Sequence, residues 1–371
     1  MIPAMAGPGG AERTMSYLVG HLARRHHVIL LTLERSGVPS FYSLPDSLQQ
    51  IRIDKLGGGG IRRLFRVLSR PLRIRREVRA SAPDVVVSFM DTMNVMALIS
   101  CLGLGVPVVV SERNDPALHR IGRGKEVVRD RVYPLARLVV AQTHRVARYF
   151  QPSLQPKLRI VANPVPAAPS SAQPDRPNAE GRMRVIAVGR FQAHKGFDRL
   201  IEAFAGIAQV WPNWDLVIIG EGPERTTLEA LVQRHGLADR VQLPGVITEI
   251  NRELALSHLM AFPSQFEGFP NALAEGLAAG LPAVGHRGVS GVEDLIVDGK
   301  TGVLVELERG TAALAAALSA LMRDARRRRE LGEAAQKHVA QWDPRRVLAL
   351  WEDVLMEATS KTGGLSLPRG G

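Results

Sequence analysis

Cysteine is nearly absent from this sequence: Cys101 stands alone in an apolar run, can close no internal disulfide, and fits a reducing compartment. No apolar run is long enough to cross a bilayer. The longest, Val95 to Val110, is broken by Gly103, Gly105 and Pro107 and reads as a buried helix, a turn and a buried strand. The opening residues MIPAMAGPGG lack a charged region followed by an apolar one, so no export signal is expected. There is no Asp-x-Asp triplet and no His/Cys cluster, so neither a bound metal nor another cofactor is expected. Acids are scarce relative to bases, 36 against 48, and the net charge of +12 favours anionic partners: nucleic acid, anionic lipid or phosphorylated small molecules.

What is present is an apolar fraction of 45% spread over 371 residues, enough for two cores. The stretch from Ala162 to Gly181, ANPVPAAPSSAQPDRPNAEG, is rich in Pro, Ser and Ala, has no apolar period, and reads as a linker. On both sides of it short Val/Ile/Leu runs alternate with helix-period segments, which predicts two doubly wound α/β domains with parallel sheets. The predicted division is residues 1–163, linker 164–181, a second domain over 182–342, a helix over 343–358 and a disordered tail over 359–371. Only Met1 to Met5 precede the first glycine loop, so the first strand of the first domain is expected to be truncated. The helix opening on Asp343-Pro344 shows one apolar face, Val347, Leu348, Leu350, Trp351, Val354 and Leu355, that needs a partner.

In open α/β sheets ligands bind beyond the carboxyl ends of the strands, and most chemistry-bearing residues fall there. In Val188-GRFQAHKGF, Arg190 and Lys195 flank a short loop before a helix N-terminus, a suitable cradle for a diphosphate. In Pro263-SQFEGFPNALAEG, Glu267 lies in a loop and Glu275 in the early turns of a helix, with Pro270 expected at its first position. Both carboxylates suit sugar hydroxyls, and the N–H groups of Phe269, Asn271 and Ala272 can donate to a phosphate or hexose. A third piece, Gly7-PGGAERT, leads small residues into a helix and lets the backbone approach an anion.

The loop of Gly9 and Gly10, Gly189-Arg190 with Lys195-Gly196, Glu221-Gly222-Pro223, the Glu267 to Glu275 pair and VEDLIVDGKTGVLV over 292–305 together resemble the "group one" family of retaining nucleotide-sugar glycosyltransferases. The resemblance covers nearly the whole chain and implies the GT-B fold: two facing Rossmann-like domains, with the last helix crossing back to the first. It implies that Arg190 and Lys195 hold the donor diphosphate, that Glu275 holds the nucleotide ribose and that Glu267 lies by the donor hexose. Gly268, Phe269, Asn271, Ala272 and Leu273 would give backbone contacts there, and Gly10, Gly189, Glu221 and Gly245 would line the donor site. The donor implied is a UDP-linked hexose or N-acetylhexosamine. Transfer would proceed on one face of the sugar without metal, the departing phosphate taking the acceptor's proton.

Where many members carry a His after the fourth strand, this chain has Ser111-ERNDP, similar to a branch that elongates polyprenyl-pyrophosphate-linked saccharides. Glu112, Arg113, Asn114 and Asp115, with His119 as a substitute for the missing His, are therefore acceptor-side candidates. The run IRRLFRVLSRPLRIRREVRA over 61–80 holds eight arginines and one acid, Glu77. Leu64, Phe65, Leu68 and Leu72 recur at helical spacing beside Arg62, Arg66, Arg70 and Arg73, and Pro71 should kink the helix. One aromatic and no nucleic-acid motif argue against a nucleic-acid arm. The expectation is a basic amphipathic element on an anionic membrane surface, in a cytoplasmic protein peripheral to the inner face. Two other readings are a nucleotide-sugar epimerase of the same fold and a membrane- or polyanion-binding protein with a decayed site.

Overall fold

The computed structural model describes residues 1–7, 9–34, 37–54, 67–119 and 121–360. Near-continuous apolar runs separated by amphipathic helices satisfy their backbones as inner strands of parallel sheets covered on both faces. In the first half β1 (Ile29–Thr32) pairs in parallel with β2 (Gln49–Arg52), and β3 (Val86–Phe89), β4 (Val108–Ser111), β5 (Leu138–Ala141) and β6 (Leu158–Ile160) follow one another in a second sheet. Met1–Pro3 joins the two. Ile2 bridges Thr32, its N–H donates to Leu31 O at 3.1 Å, and Phe89 N–H donates to Met1 O at 3.0 Å. The position expected to lack a strand is thus taken by these three residues. The Met1 ammonium bonds Val87 O at 2.6 Å, and burial pushes its pKa down to about 5.

The second half forms one sheet from β7 (Met183–Val188), β8 (Trp214–Ile219), β9 (Val241–Gly245), β10 (Leu259–Phe262), β11 (Ala283–His286) and β12 (Gly302–Val305), in the order β12-β11-β10-β7-β8-β9. The chain winds outward from β7 to β9, then returns to the other side of β7 for β10. The order therefore reverses between β7 and β10, which opens a crevice at their carboxyl ends. The first half reverses likewise between Met1–Pro3 and β3, and helix α1 (Gly10–Leu22) starts just beyond that point.

Two segments bear on the arginine run. Ser69 interrupts the helical path, and α2 (Arg70–Ser81) begins with Pro71 in its first turn, burying Ile74 and Val78. Arg62 and Arg66 lie outside the described residues. Arg70 and Arg73, expected to face an anionic surface, instead turn inward: Arg70 Nη2 bonds Asp54 Oδ2 at 2.5 Å and Arg73 Nη1 bonds Ile53 O at 2.7 Å. Asp54 is buried at the end of β2 and needs a cation there, which a 3.6-residue period in the helix alone does not reveal. The outward face consists of Leu68 and Leu72, 66% and 71% exposed, followed by exposed Arg76 and Arg79.

The last described helix runs over Pro344–Thr359 and packs on the first half of the chain. The Asp343 side chain accepts from Arg345 N–H at 2.9 Å, which caps it. Val347, Leu348, Trp351 and Val354 join Ile2, Met15, Leu18 and Phe89 in one core, and the Trp351 and Phe89 rings lie 5.5 Å apart. Leu350, counted on the apolar face from sequence, is exposed instead. The returning chain runs beside the outgoing linker, where Val165 N–H donates to Trp342 O at 2.8 Å.

Candidate active site

The crevice between β7 and β10 gathers the predicted donor residues. Gly189 follows β7, and the loop it opens turns at Gly196, whose φ of +69° suits glycine and whose Cβ, if present, would lie 2.5 Å from Pro263 O. That close approach welds the two loops together, with Gln265 N–H donating to His194 O at 2.8 Å. Helix α3 (Phe197–Ala205) follows the first loop and helix α4 (Asn271–Ala278) the second. Pro270, expected at the first helical position, is instead the N-cap of α4, so the helix starts one residue later. Lys195 Nζ meets Glu267 Oε1 at 2.5 Å, and Ser264 Oγ donates to the same oxygen at 2.8 Å. Arg190 is exposed at the mouth of the crevice, and its charge acts on Glu12 and His194.

Burial, with Lys195 next, lowers the His194 pKa, so the imidazole stays neutral beside two cations. Its ring stacks on Phe266 at 4.2 Å, and His119 approaches the same ring at 5.8 Å from the other half. Glu221 is paired with Arg225, whose Nη2 lies 2.5 Å from Oε1, and this bond lowers the Glu221 pKa. Gly245, at φ +85°, brings its Cα beside that carboxylate. Phe269 and Leu273 are buried in the core, so only their backbones are available to a ligand. Ala272 is partly buried at the start of α4.

The first half contributes a polar layer that faces this crevice. Glu112 and Arg113 are buried after β4; burial pushes the Glu112 carboxyl up to about 7 and the Arg113 guanidinium down to about 9. Tyr133 OH donates to Glu112 Oε2 at 2.9 Å, while Arg113 stacks over Phe89 at 4.3 Å. Asp115 is buried and accepts from Ala117 N–H at 2.9 Å, which shapes the turn leading to His119; Asn114, beside it, is partly buried.

Residues that sequence reading missed, Asn163 and Arg13 among them, tie the halves together. Asn163, the last residue of the predicted first domain, accepts at Oδ1 from Arg113 Nη2 at 2.5 Å and from Gln142 Nε2 at 2.7 Å. Its own Nδ2 donates to Asn271 Oδ1 at 2.6 Å. Arg13, one turn into α1, donates to Glu275 Oε1. Gly10 sits so close to Asn271 that a Cβ would lie 2.8 Å from Nδ2. Further along the seam Thr143 Oγ1 and Ser290 Oγ are 3.1 Å apart, with Ser290 at the start of α5 (Ser290–Leu295). The helix over Pro344–Thr359 is accordingly α6. The one signal for Arg13 was its spacing, three residues after Gly10 at a helix start.

Two parallel α/β units that reverse strand order toward a shared crevice, with the last helix crossing back, make up the GT-B fold. Residues 8–168 match the model of glycosyltransferase family 4 and residues 171–338 that of the glycosyl transferases group 1. The chain belongs to the glycosyl transferases of group 1. It is 27% identical over 385 residues to the exopolysaccharide phosphotransferase of Streptomyces coelicolor, with 95% of this chain aligned. The chain spans only 40% of the length of that relative. It is 25% identical over 366 residues to the GalNAc-alpha-(1->4)-GalNAc-alpha-(1->3)-diNAcBac-PP-undecaprenol alpha-1,4-N-acetyl-D-galactosaminyltransferase of Campylobacter jejuni, covering 96% of this chain and 97% of that protein. Among solved structures, sucrose-phosphate synthase of Thermosynechococcus elongatus superposes with a TM-score of 0.80 at 19% identity, over 96% and 98% of the two chains. Anabaena HepE in complex with UDP and glucose gives 0.76 at 16%, over 96% and 98%.

Among the described residues no group of three or more His, Cys, Asp and Glu side chains is gathered in a way that would hold a metal, and no helix is long and apolar enough to cross a membrane.

Proposed function

We propose that the chain is a retaining, metal-independent glycosyltransferase that moves a hexose or N-acetylhexosamine from a UDP-sugar to a polyprenyl-pyrophosphate-linked saccharide. The observation that carries the reading is the pairing of Lys195 with Glu267 at the point where strand order reverses, with Arg190 beside them. A diphosphate in that crevice meets two cations and the N-terminus of α3, while Glu267 and Glu275 offer acceptors to sugar and ribose hydroxyls.

In the proposed reaction the bond between the donor's anomeric carbon and its phosphate oxygen breaks while the acceptor oxygen bonds the same carbon on the same face. The acceptor's proton passes to the departing diphosphate. The protein's part is to stabilise the growing negative charge with Lys195 and Arg190 and to exclude water as the halves close. The UDP assignment is supported by the bound ligand of the Anabaena relative, and the lipid-linked acceptor by the name of the Campylobacter one. Arg76 and Arg79, with Leu68 and Leu72, offer a face for an anionic cytoplasmic membrane surface, each basic residue contributing about 1 kcal/mol.

The test is to incubate the protein with a panel of nucleotide diphosphate sugars and polyprenyl-pyrophosphate saccharides in anionic vesicles, then assign the new anomeric centre by NMR. Transfer with retained configuration is expected. Transfer with inversion, or an epimerised donor without an acceptor, defeats the proposal.

A further inference from the structure

We propose that Arg13 is the latch that holds the two halves shut, and that it does so through the carboxylate assigned to the nucleotide ribose. The ribose role of Glu275 rests on the function proposed above; the latch itself rests on geometry. Helices α1 and α4 begin against one another. Gly10 and Arg13 lie three apart on α1, Asn271 and Glu275 lie four apart on α4, and these spacings put each pair on one helix face. The faces meet in register: Gly10 abuts the Asn271 amide, and one turn on Arg13 Nη1 donates to Glu275 Oε1.

Both ends of the pair are anchored. Met15, Leu18 and Val19 hold α1 in the core it shares with Trp351, and Leu273, Ala274 and Leu277 hold α4 in the core of the second half. The pair therefore persists only while the halves are close. Its side chains are 23% and 13% exposed while the halves are in contact, so little water competes with the pair there. Arg13 occupies one oxygen of Glu275, and among the described residues Oε2 has no hydrogen-bond partner. A carboxylate accepts on both oxygens, so a ribose hydroxyl on Oε2 and the guanidinium on Oε1 are compatible. Nucleotide binding and closure then share one side chain, and Arg13 acts as a positioning residue.

The experiment compares the full-length protein with its Arg13→Gln and Glu275→Gln variants and the double variant. Small-angle scattering gives the radius of gyration with and without UDP, calorimetry gives UDP affinity, and initial rates give kcat and KM. Without ligand, either single variant should be more expanded than the wild type, and the double variant no more expanded than the single ones, because both remove the same contact. Arg13→Gln should keep UDP affinity within about threefold and lose about tenfold in kcat, whereas Glu275→Gln should lose about tenfold in affinity as well. Unchanged compactness in both single variants overturns the latch. So does a parallel loss of UDP affinity and kcat in Arg13→Gln without expansion, which would make Arg13 a nucleotide contact. If Arg13→Gln does not fold, the expansion of Glu275→Gln decides. A wild type that binds no UDP refutes the proposed donor, while the ligand-free scattering still judges the latch.

Discussion

Replacing Gly268 with alanine should separate the two halves by a small, calculable distance. Gly268 lies in the loop before α4 with no positive φ, so its lack of a side chain answers a need for space and not for backbone freedom. An added Cβ would stand 2.5 Å from Gln142 Oε1 and closer still to the Arg113 carbonyl. Neither can yield easily. The Arg113 oxygen is backbone, and the Gln142 amide is tied at 2.7 Å to Asn163, which also holds Arg113 and Asn271. Retreat in the other direction is blocked by Gly291 in α5, whose own missing Cβ would fall 2.5 Å from Gly268 O. Restoring ordinary carbon–oxygen contact requires about 1 Å. Overpacking of this kind costs ~1–3 kcal/mol of stability, and a 1 Å misplacement of reacting groups costs about 100-fold in rate. Initial-rate assays beside a thermal melt should therefore show kcat down about 100-fold. Gly20→Ala is the control: it lies inside α1 with nothing near its would-be Cβ, and should be stabilising by roughly 0.5–1 kcal/mol. A Gly268→Ala variant within threefold of wild-type kcat would refute the reasoning.

Lys195→Ala should lower both transfer and slow donor hydrolysis by about 100- to 1,000-fold, measured as released nucleotide, because a cation on the leaving group serves both reactions. Burial raises the Glu112 carboxyl to about 7, so its neutral form is favoured in the folded state. Its contribution to stability is then complete below about pH 4.5 and is lost as pH rises through about 7, a fall on the order of 3 kcal/mol that denaturant titrations should show and Glu112→Gln should flatten. Activity should survive EDTA; loss on chelation with rescue by Mn²⁺ would contradict metal-independent transfer. Changing Arg76 and Arg79 together to Gln should weaken partition onto anionic vesicles about 30-fold in flotation assays and leave neutral vesicles unaffected.

The crevice of the second half was legible from sequence because its parts are local: an apolar strand, a loop with fixed charges, then a helix start. Lys195 and Glu267, seventy-two positions apart, meet because each lies in the loop that follows one of two adjacent strands. The seam between the halves was not legible in the same way. Arg13 looks like any helix-surface arginine until Glu275 arrives from 262 residues away, and Asn163 sits in a stretch whose composition signals only a linker. The arginine run misled for a related reason. Helical spacing showed that Arg70 and Arg73 share a side, but the direction of that side is set by Asp54, whose burial depends on how β2 ends. At the start of the first half Met1–Pro3 makes only a bridge, for which β1 and β3 provide partners on the two sides.

The pairing of Val165 with Trp342 means that the chain crosses between its two halves twice, side by side. Two adjacent crossings leave little freedom to pull the halves apart or slide them, and what remains is a swing about the line of the crossings, as a door moves on two pins. A protease cut in the stretch after Val165 would sever one pin and leave the other, so the nicked protein should migrate as one particle until the connection before α6 is cut as well.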